Sequence, residues 1–301
     1  MRHTHLNRSA DRRGGGGACA PCPPLVAVAH GSRDPSAAAV VCALARLAGE
    51  RAARRGLAGL EVHAAYLDHC GPRVSDVLSG LGSRQAVVLP LLLTAAYHSD
   101  TDLPRQLGDT KARWPGLRIC YGQPLGPHPL LTQALDRRLS EAMPPGWEAE
   151  DTSVVLAAAG SSRPDATASV ARLARRWQRE RGWREVLPAY ASAVTPTPAD
   201  AVAELRDRGA RRVAVATYLL APGRFADQVR DTSLASGAGA VSAVIGALPE
   251  VADVLLDRYT EARSLDAGLP VPGRSSRVAA GAGAGPSAAR VIRGTVAATS
   301  H

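Results

Sequence analysis

Aromatic side chains are scarce in this 301-residue sequence, and Phe225 is its single phenylalanine. Proteins that bind single-stranded nucleic acids stack the bases on aromatic side chains, and no such series is present. Most of the net charge of +9 lies near the two ends, since residues 1–24 and residues 265–301 each contribute +3. We therefore predict no nucleic-acid partner, although the mildly basic central part favours a small polyanionic ligand.

Long apolar segments are also absent. No run approaches the roughly 20 residues that span a bilayer, and glycines occupy residues 14–17, where a signal peptide would have its apolar core. The five cysteines are an odd number and do not indicate a disulfide framework. These features predict a cytoplasmic protein with no membrane partner. At Cys19 and Cys22, a zinc site with His3 or His5 is the alternative to a disordered tail.

Between the two ends, apolar runs typical of β-strands alternate with segments of helical periodicity. Strands are predicted at residues 25–29, 61–66, 86–92 and 117–121, and helices at residues 36–54, 73–81, 100–112 and 129–142. This alternation is typical of βαβ units around a parallel sheet. Residues 1–24 and 265–301 are rich in Gly, Ala, Ser and Arg without periodicity, which predicts two disordered tails.

The pattern starts again after a Pro-Pro-Gly segment at residues 144–146. Stretches of the second half match the first in the same order: 156–163 with 28–33, 185–190 with 61–66, 213–220 with 87–93, and 245–249 with 125–129. A tandem duplication explains this order. We predict an α/β protein of two similar parallel-sheet domains, residues 25–146 and 147–264, with a small-molecule cleft between them.

Histidine is distributed unequally between the two copies, because residues 147–264 contain none. The first copy contains His30, His63, His69, His98 and His128. In the second copy, Ala159 stands at the position of His30. Ser192 similarly replaces Asp68. A fold that needed these groups for packing would keep them in both copies. Groups that serve a single site can be lost from one copy, and simple drift of the second copy is the alternative.

The candidate site residues follow neighbouring strands. His30 follows the first strand, His98 follows the third, and Asp68 ends the second. Carboxyl ends of parallel strands meet at one edge of the sheet, where open α/β sheets bind their ligands. Two imidazoles near a carboxylate suit a borderline divalent metal such as Fe²⁺, Co²⁺, Ni²⁺ or Zn²⁺, and they also accept protons near neutral pH. A hydrogen-bonded turn histidine is the alternative for each imidazole.

The other polar candidates have structural interpretations. His63 lies in the middle of a strand, and His69 points away from Asp68 if the chain stays extended. His128 is predicted to cap the helix that follows it, with contact to a ligand as the minority alternative. Helix capping or a solvated position in a first helical turn is predicted for Asp34, Asp100 and Asp102.

At four places the sequence resembles the sirohydrochlorin chelatases, ATP-independent class II chelatases that insert Fe²⁺ for sirohaem or Co²⁺ for cobalamin. The segments are Ala-His-Gly-Ser-Arg-Asp-Pro at 29–35, Tyr-Leu-Asp at 66–68, Pro-Leu-Leu-Leu at 90–93, and residues 97–104. The resemblance extends over residues 25–262 and implies a chelatase-like fold with one active site per chain. It also implies a metal site at His30 and His98. The family usually has glutamate where this chain has Asp68.

The residues and the resemblance together predict a chemistry. Neutral His30 and His98 hold the divalent metal and release it to the pyrrole nitrogens, while an imidazole or Asp68 accepts the pyrrole protons. Arg33 is expected to bind substrate carboxylates. The amides of Gly31 and Ser32, at a helix N-terminus, are expected to assist it.

No permanently bound cofactor is expected, because the metal, Fe²⁺ or Co²⁺, is a substrate together with the tetrapyrrole. A nucleotide is not needed either, since Lys111 is the single lysine and no phosphate-binding loop contains it. A monomer is expected because the duplication supplies both halves. The main alternative is a non-catalytic metal or tetrapyrrole carrier, and a nickel-inserting or broader precorrin chelatase is a lesser one.

Overall fold

A computed structural model of the protein describes residues 22–94 and 102–266. The first half follows the predicted alternation of strands and helices closely. Its elements are β1 (Leu25–Ala29), α1 (Pro35–Ala52), β2 (Val62–Tyr66), α2 (Val74–Gly80), β3 (Gln85–Pro90), α3 (Asp102–Arg113), β4 (Arg118–Tyr121) and α4 (Pro129–Ala142).

The second half repeats this order of elements. Its elements are β5 (Thr152–Ala158), α5 (Pro164–Arg181), β6 (Glu185–Tyr190), α6 (Pro198–Asp207), β7 (Arg212–Tyr218), α7 (Arg224–Ala235), β8 (Ala240–Val241) and α8 (Pro249–Asp266). None of the helices in residues 22–94 and 102–266 is long and apolar enough to cross a membrane.

Each half forms a four-stranded parallel sheet. The strand orders are β2-β1-β3-β4 and β6-β5-β7-β8, so β1 and β5 occupy equivalent central positions. Every residue of β5 is buried, and so is all of β1 except Ala29, as expected for strands covered on both faces. The registers agree as well: Ala29 pairs with Tyr66, and Ala158 pairs with Tyr190. The predicted fold class of two similar parallel-sheet halves is confirmed.

The turn after each central strand has the same backbone geometry. Gly31 has a φ of 97°, and a Cβ on it would lie 1.9 Å from the carbonyl oxygen of Asp68. Gly160 has a φ of 90°, and its Cβ would lie 2.0 Å from the carbonyl oxygen of Ser192. Any larger residue would clash with the neighbouring strand end, so both turns require glycine.

The last helix of each half packs against the other half. α8 contacts α1, α4 and β3, whereas α4 contacts β7 and β8 of the second sheet. The largest cluster of buried apolar side chains therefore contains residues from both halves, among them Leu25, Leu135, Leu156 and Leu255. The domain boundary between residues 146 and 147 stays a prediction, and the hydrophobic core is continuous across it.

Polar contacts reinforce this exchange of helices. Arg51 of α1 donates two hydrogen bonds to Asp253 of α8, at 2.9 and 2.5 Å. Trp177 of α5 is completely buried, and its indole N–H donates to Asp136 of α4 at 2.7 Å. Residues 22–24, which the composition assigned to a disordered tail, also make contacts, since the hydroxyl of Tyr259 donates to the carbonyl of Pro23 at 2.8 Å.

Candidate functional site

A cleft of about 610 Å³ lies at the carboxyl edge of the first sheet. Its first-half wall consists of the turn at residues 29–33, the start of α1, Tyr66, His69, and the residues that follow β3. Its second-half wall is the segment 219–226, which follows β7 and includes the start of α7. The cleft is thus built by both halves, as the duplication predicted.

His30 is the first residue after β1 and lines this cleft. The positive φ of Gly31 turns the chain away directly behind it, so the imidazole stays at the sheet edge. The backbone carbonyl of His30 accepts a hydrogen bond from the amide of Asp68 at 2.9 Å. The ends of β1 and β2 are therefore fixed to each other, and the positions of these two candidate residues are coupled.

Asp68 lies beside the cleft with an exposed side chain and is not among the residues that line it. The amide of His69 donates to its Oδ1 at 2.8 Å, and this bond holds the pKa of the carboxyl below its ordinary value. The neighbouring imidazole of His69 and the guanidinium of Arg73, whose Nη2 lies 3.4 Å from Oδ1, lower the pKa of Asp68 further. Asp68 is therefore an ionised group at neutral pH.

The structure brings His69 to the site, which the sequence did not predict. The ring centroids of His30 and His69 are 5.6 Å apart at an interplanar angle of 76°. The expectation that His69 points away rested on an extended chain, and it is wrong because His69 has a φ of 65°. Its counterpart Ala193 has a φ of 67°. The signal was available, since the second copy lacks this histidine too.

The other three histidines of the first copy are His98, His63 and His128. His98 lies outside the described residues, between Thr94 and Asp102, and its place at the metal site stays a prediction. His63 has its Nε2 3.3 Å from the carboxylate of Glu61, the residue before β2. His128 accepts a hydrogen bond from the amide of Leu130 at its Nδ1, 3.3 Å away, which confirms the predicted helix cap.

The turn residues 31–33 separate into shared and copy-specific positions. Gly31 and Ser32 recur as Gly160 and Ser161. The hydroxyl of Ser32 accepts from the amide of Asp34 at 3.1 Å, and Ser161 makes the equivalent bond to the amide of Arg163. These side chains therefore stabilise the turn in both halves.

Arg33 behaves differently, because serine replaces it in the second copy. Its exposed side chain borders the cleft beside His30. Arg33 and His30 are thus absent from the copy that shares the same backbone turn. This pattern fits a role in binding an anionic group, for which a guanidinium is suited.

The second half contributes Phe225, which the sequence had only marked as the single phenylalanine. Phe225 lies in the first turn of α7, lines the cleft and is 43% exposed. Leu25 and Val154 hold equivalent positions in the central strands and pair with Val87 and Ala214. Counted from these two partners, Phe225 corresponds to His98 in sequence. An exposed aromatic side chain at a cleft is a typical contact for a flat, apolar ligand.

At the equivalent edge of the second sheet, the void bordered by the described residues is small. The void there measures about 10 Å³ and is bordered by Thr94, Ala158, Gly160 and Tyr190, among others. Within residues 22–94 and 102–266, no group of three His, Cys, Asp or Glu side chains is arranged to hold a metal ion. In the part of the chain that the structure describes, His30 and His69 are the two histidines that line the cleft, and their rings are in contact.

Comparison with known proteins gives consistent matches over most of the chain. The CbiX family matches residues 24–142 and 153–262. A sirohydrochlorin ferrochelatase of Bacillus subtilis is 29% identical over 184 residues, which cover 60% of this chain and 69% of that protein. A sirohydrochlorin cobaltochelatase of Priestia megaterium is 28% identical over 170 residues. That match covers 55% of this chain and little more than half, 56%, of the relative.

Solved structures agree with these matches. SirB from Bacillus subtilis with Fe³⁺ superposes with a TM-score of 0.68 and 26% identity, covering 82% of this chain and 97% of that one. SirB from Bacillus subtilis subspecies spizizenii in complex with cobalt gives a TM-score of 0.65 at 22% identity, with the same coverage, and supports the fold. Both halves match the family in sequence, and the two-sheet fold matches in structure. The chain belongs to the CbiX family.

Proposed function

We propose that this protein is a sirohydrochlorin chelatase that inserts a divalent metal, Fe²⁺ or Co²⁺, into the tetrapyrrole without ATP. The observation that carries the proposal is the cleft of about 610 Å³ that His30 lines, in a chain of the CbiX family. Its volume falls in the range of small-molecule sites. The named relatives act on sirohydrochlorin with iron or cobalt, which supports the same substrate class here.

In the proposed reaction, neutral His30 and His98 hold the metal until the pyrrole nitrogens replace them. Imidazole nitrogen is a good but not exclusive ligand for Fe²⁺ and Co²⁺, so the metal stays exchangeable. The proposal for His98 rests on its sequence position after β3 and on its absence from the second copy.

Two pyrrole protons must leave as the metal enters. A general base works best when its pKa lies near the working pH. The lowered pKa of Asp68 makes this carboxylate a weak base, so an imidazole is the better acceptor. Asp68 then stabilises the positive charge that a protonated imidazole carries beside it.

The rest of the cleft suits the organic substrate. Arg33 and Arg224 border it from opposite halves and supply positive charge for the substrate carboxylates. The amides of Gly31 and Ser32 are further donors for these carboxylates. Phe225 and Leu91 offer apolar surface to the macrocycle. We also propose that the protein acts as a cytoplasmic monomer, with no membrane or nucleic-acid partner, since each chain contains both walls of one cleft.

A turnover assay tests this function against the carrier alternative. The protein is mixed with a large molar excess of sirohydrochlorin and with Co²⁺ or Fe²⁺ in the absence of oxygen. The absorbance change of the tetrapyrrole is then followed. The rate without protein is subtracted. Multiple turnovers per chain are expected. Conversion or binding of one equivalent per chain would instead identify a metal or tetrapyrrole carrier.

A further inference from the structure

We infer that His69 is a further ligand of the incoming metal and binds it together with His30. The inference deepens the proposed function, on which it rests for the identity of the metal as a substrate. The ligand class is a borderline divalent cation, because a pair of imidazole nitrogens selects such ions over Mg²⁺ or Ca²⁺.

The geometry of the two rings suits a shared metal. Their centroids are 5.6 Å apart, and the rings are inclined by 76°. Metal–nitrogen bonds of about 2.1 Å at a tetrahedral or wider angle place the centroids of two imidazole ligands about 5 to 6 Å apart. Both side chains border the same cleft, so a cation entering it meets both of them.

The backbone explains how His69 reaches this position. A left-handed φ is uncommon for residues with a Cβ, and glycine or asparagine usually takes such positions. The fold imposes it here, since Ala193 has nearly the same φ at the equivalent turn. The first half places an imidazole on this turn, and the second half places a methyl group there. The turn therefore serves the fold, whereas the imidazole is specific to the half with the open cleft.

Asp68 supports His69 from behind. Its Oδ2 lies 3.9 Å from the Nδ1 of His69, while its Oδ1 is held by the amide of His69 at 2.8 Å and by Arg73 at 3.4 Å. The 3.9 Å separation is an electrostatic contact and not a hydrogen bond. A carboxylate near one ring nitrogen favours the opposite nitrogen as the metal ligand. In this arrangement Nε2 of His69 is the nitrogen that binds the metal, and Asp68 is a positioning residue.

A Co²⁺ titration of the full-length protein without tetrapyrrole tests the inference. Binding is measured by calorimetry and by the visible absorption of protein-bound Co²⁺. His69→Ala and His69→Asn both keep residue types that accept a left-handed φ, and alanine occurs at the equivalent turn. Each is expected to weaken Co²⁺ binding at least about tenfold and to change the spectrum. His63→Ala, which removes a histidine outside the cleft, is the matched control. It is expected to leave the Co²⁺ affinity and the spectrum unchanged.

Co²⁺ affinity and spectrum equal to wild type in both His69 variants would overturn the inference, whatever the turnover of the wild-type protein. A wild-type protein that binds Co²⁺ through His69 but does not turn over sirohydrochlorin would contradict the proposed function and leave the metal ligand intact. Melting curves of the variants show whether a loss of Co²⁺ binding comes from unfolding. If His69→Ala has a lowered melting temperature, the Co²⁺ affinity and spectrum of His69→Asn test the inference.

Discussion

His30 and Ala159 occupy the same backbone position, after a buried central strand and before a glycine of positive φ. Asp68 and Ser192 likewise occupy equivalent positions, two residues after β2 and β6. The second copy therefore shows which residues the fold requires, and the first copy shows which side chains are present in addition. Gly31 belongs to the fold, since Gly160 has an equally close neighbour. The imidazole of His30 does not, and this difference makes it a candidate for chemistry.

Replacing His30 or His98 by alanine is expected to reduce metal insertion at least about 100-fold, the usual scale for losing a ligand or proton acceptor in the reacting site. The melting temperature is expected to stay the same for His30→Ala, because Ala159 occupies the equivalent turn. Turnover and thermal melts are compared for both variants and for His63→Ala. Near-normal turnover in either variant would remove that histidine from the proposed mechanism.

The pH profile tests whether the histidines bind metal or only protons. Activity is expected to fall as the pH drops through the histidine range, around 6.5 for an unperturbed side chain. Since the pKa of Asp68 is lowered, this carboxylate is ionised throughout that range and does not cause the loss. Metal and proton compete for the same nitrogen, so raising the metal concentration is expected to shift the acid limb to lower pH.

Asp68→Asn tests whether Asp68 or the imidazoles cause the acid limb of this profile. The variant is expected to be slower but to keep the acid limb and its dependence on metal, because the limb belongs to the imidazoles. An acid limb that stays fixed as the metal concentration varies would mean that His30 and His98 act only as proton acceptors, or not at all.

Sequence reasoning reached part of this site. His30 was predictable because a short apolar run and a glycine fix its place at a strand end. The absence of His69 from the second copy was a signal too, but the direction of its side chain was not predictable, since it depends on a left-handed φ in a turn without glycine at that position. Phe225 was not predictable either, because it reaches the cleft from the other half and nothing in the pattern of α7 says which sheet edge it faces.

At the scale of elements, helix caps determine where the site-bearing turns end. Asp34 confirms the predicted cap of α1, since its Oδ1 accepts from the amide of Ser36 at 2.9 Å. That bond and the hydroxyl of Ser36 lower the pKa of Asp34. The cap fixes the start of α1 directly behind residues 31–33. Capping therefore connects local sequence to the position of the cleft wall.

The cap of α4 is expected to make stability depend on pH. Burial, together with the charge of Arg258, lowers the pKa of His128, and Asp257 with Glu261 opposes this only partly. A lowered folded pKa favours the neutral ring, whose Nδ1 accepts from Leu130. This contribution is present above about pH 6.5 and is lost as the pH falls from there towards the folded pKa.

His128→Asn tests this cap, because asparagine caps helices well and does not titrate. As the pH falls from 7.5 to 5, the melting temperature of His128→Asn is expected to rise relative to that of the wild type. His128→Ala is expected to cost about 0.5 to 2 kcal/mol at pH 7.5 through loss of the cap. His63→Asn, at an exposed histidine, serves for comparison. A constant difference between His128→Asn and wild type over this pH range would show that His128 does not titrate on unfolding.

Element boundaries were largely readable from apolar periodicity, glycine and proline. The exception at the cleft is β3, which was predicted to continue to residue 92 and ends at Pro90. Its pairing with β1 stops at Val28, after which Leu91 donates its amide to the Val28 carbonyl and the chain leaves the sheet. Leu91 and Leu92 then border the cleft. Strand length was set by the partner strand, which the local sequence does not reveal.

At the scale of the whole molecule, the two halves stabilise each other. α4 and α8 are the last helices of the two halves, and nothing in their local sequence says which sheet each helix covers. The structure exchanges them, and Arg51 with Asp253 and Asp136 with Trp177 fix the exchange. This arrangement couples the wall at residues 219–226 to the wall at residues 29–33, so the cleft depends on both copies.

The exchange also sets how far the chain can be shortened. A chain of residues 22–266 keeps the contact of Tyr259 with Pro23 at 2.8 Å and those of Asp266 with Gln85 and Arg118 at 3.1 and 3.2 Å. It is expected to match the full-length protein in melting temperature and turnover, because the removed sequence lacks apolar periodicity.

Residues 25–264 alone lose those hydrogen bonds, worth about 1 kcal/mol each at a buried partner and less at the exposed ones. The melting temperature of this shorter chain is therefore expected to drop by about 2 to 4 °C per kcal/mol lost. Calorimetric melts of the three chains, with turnover measured in parallel, check both expectations. A large loss of stability already in residues 22–266 would mean that the N-terminal segment with Cys19, or the C-terminal segment, supports the fold. In that case the interpretation of these segments as disordered tails would be wrong.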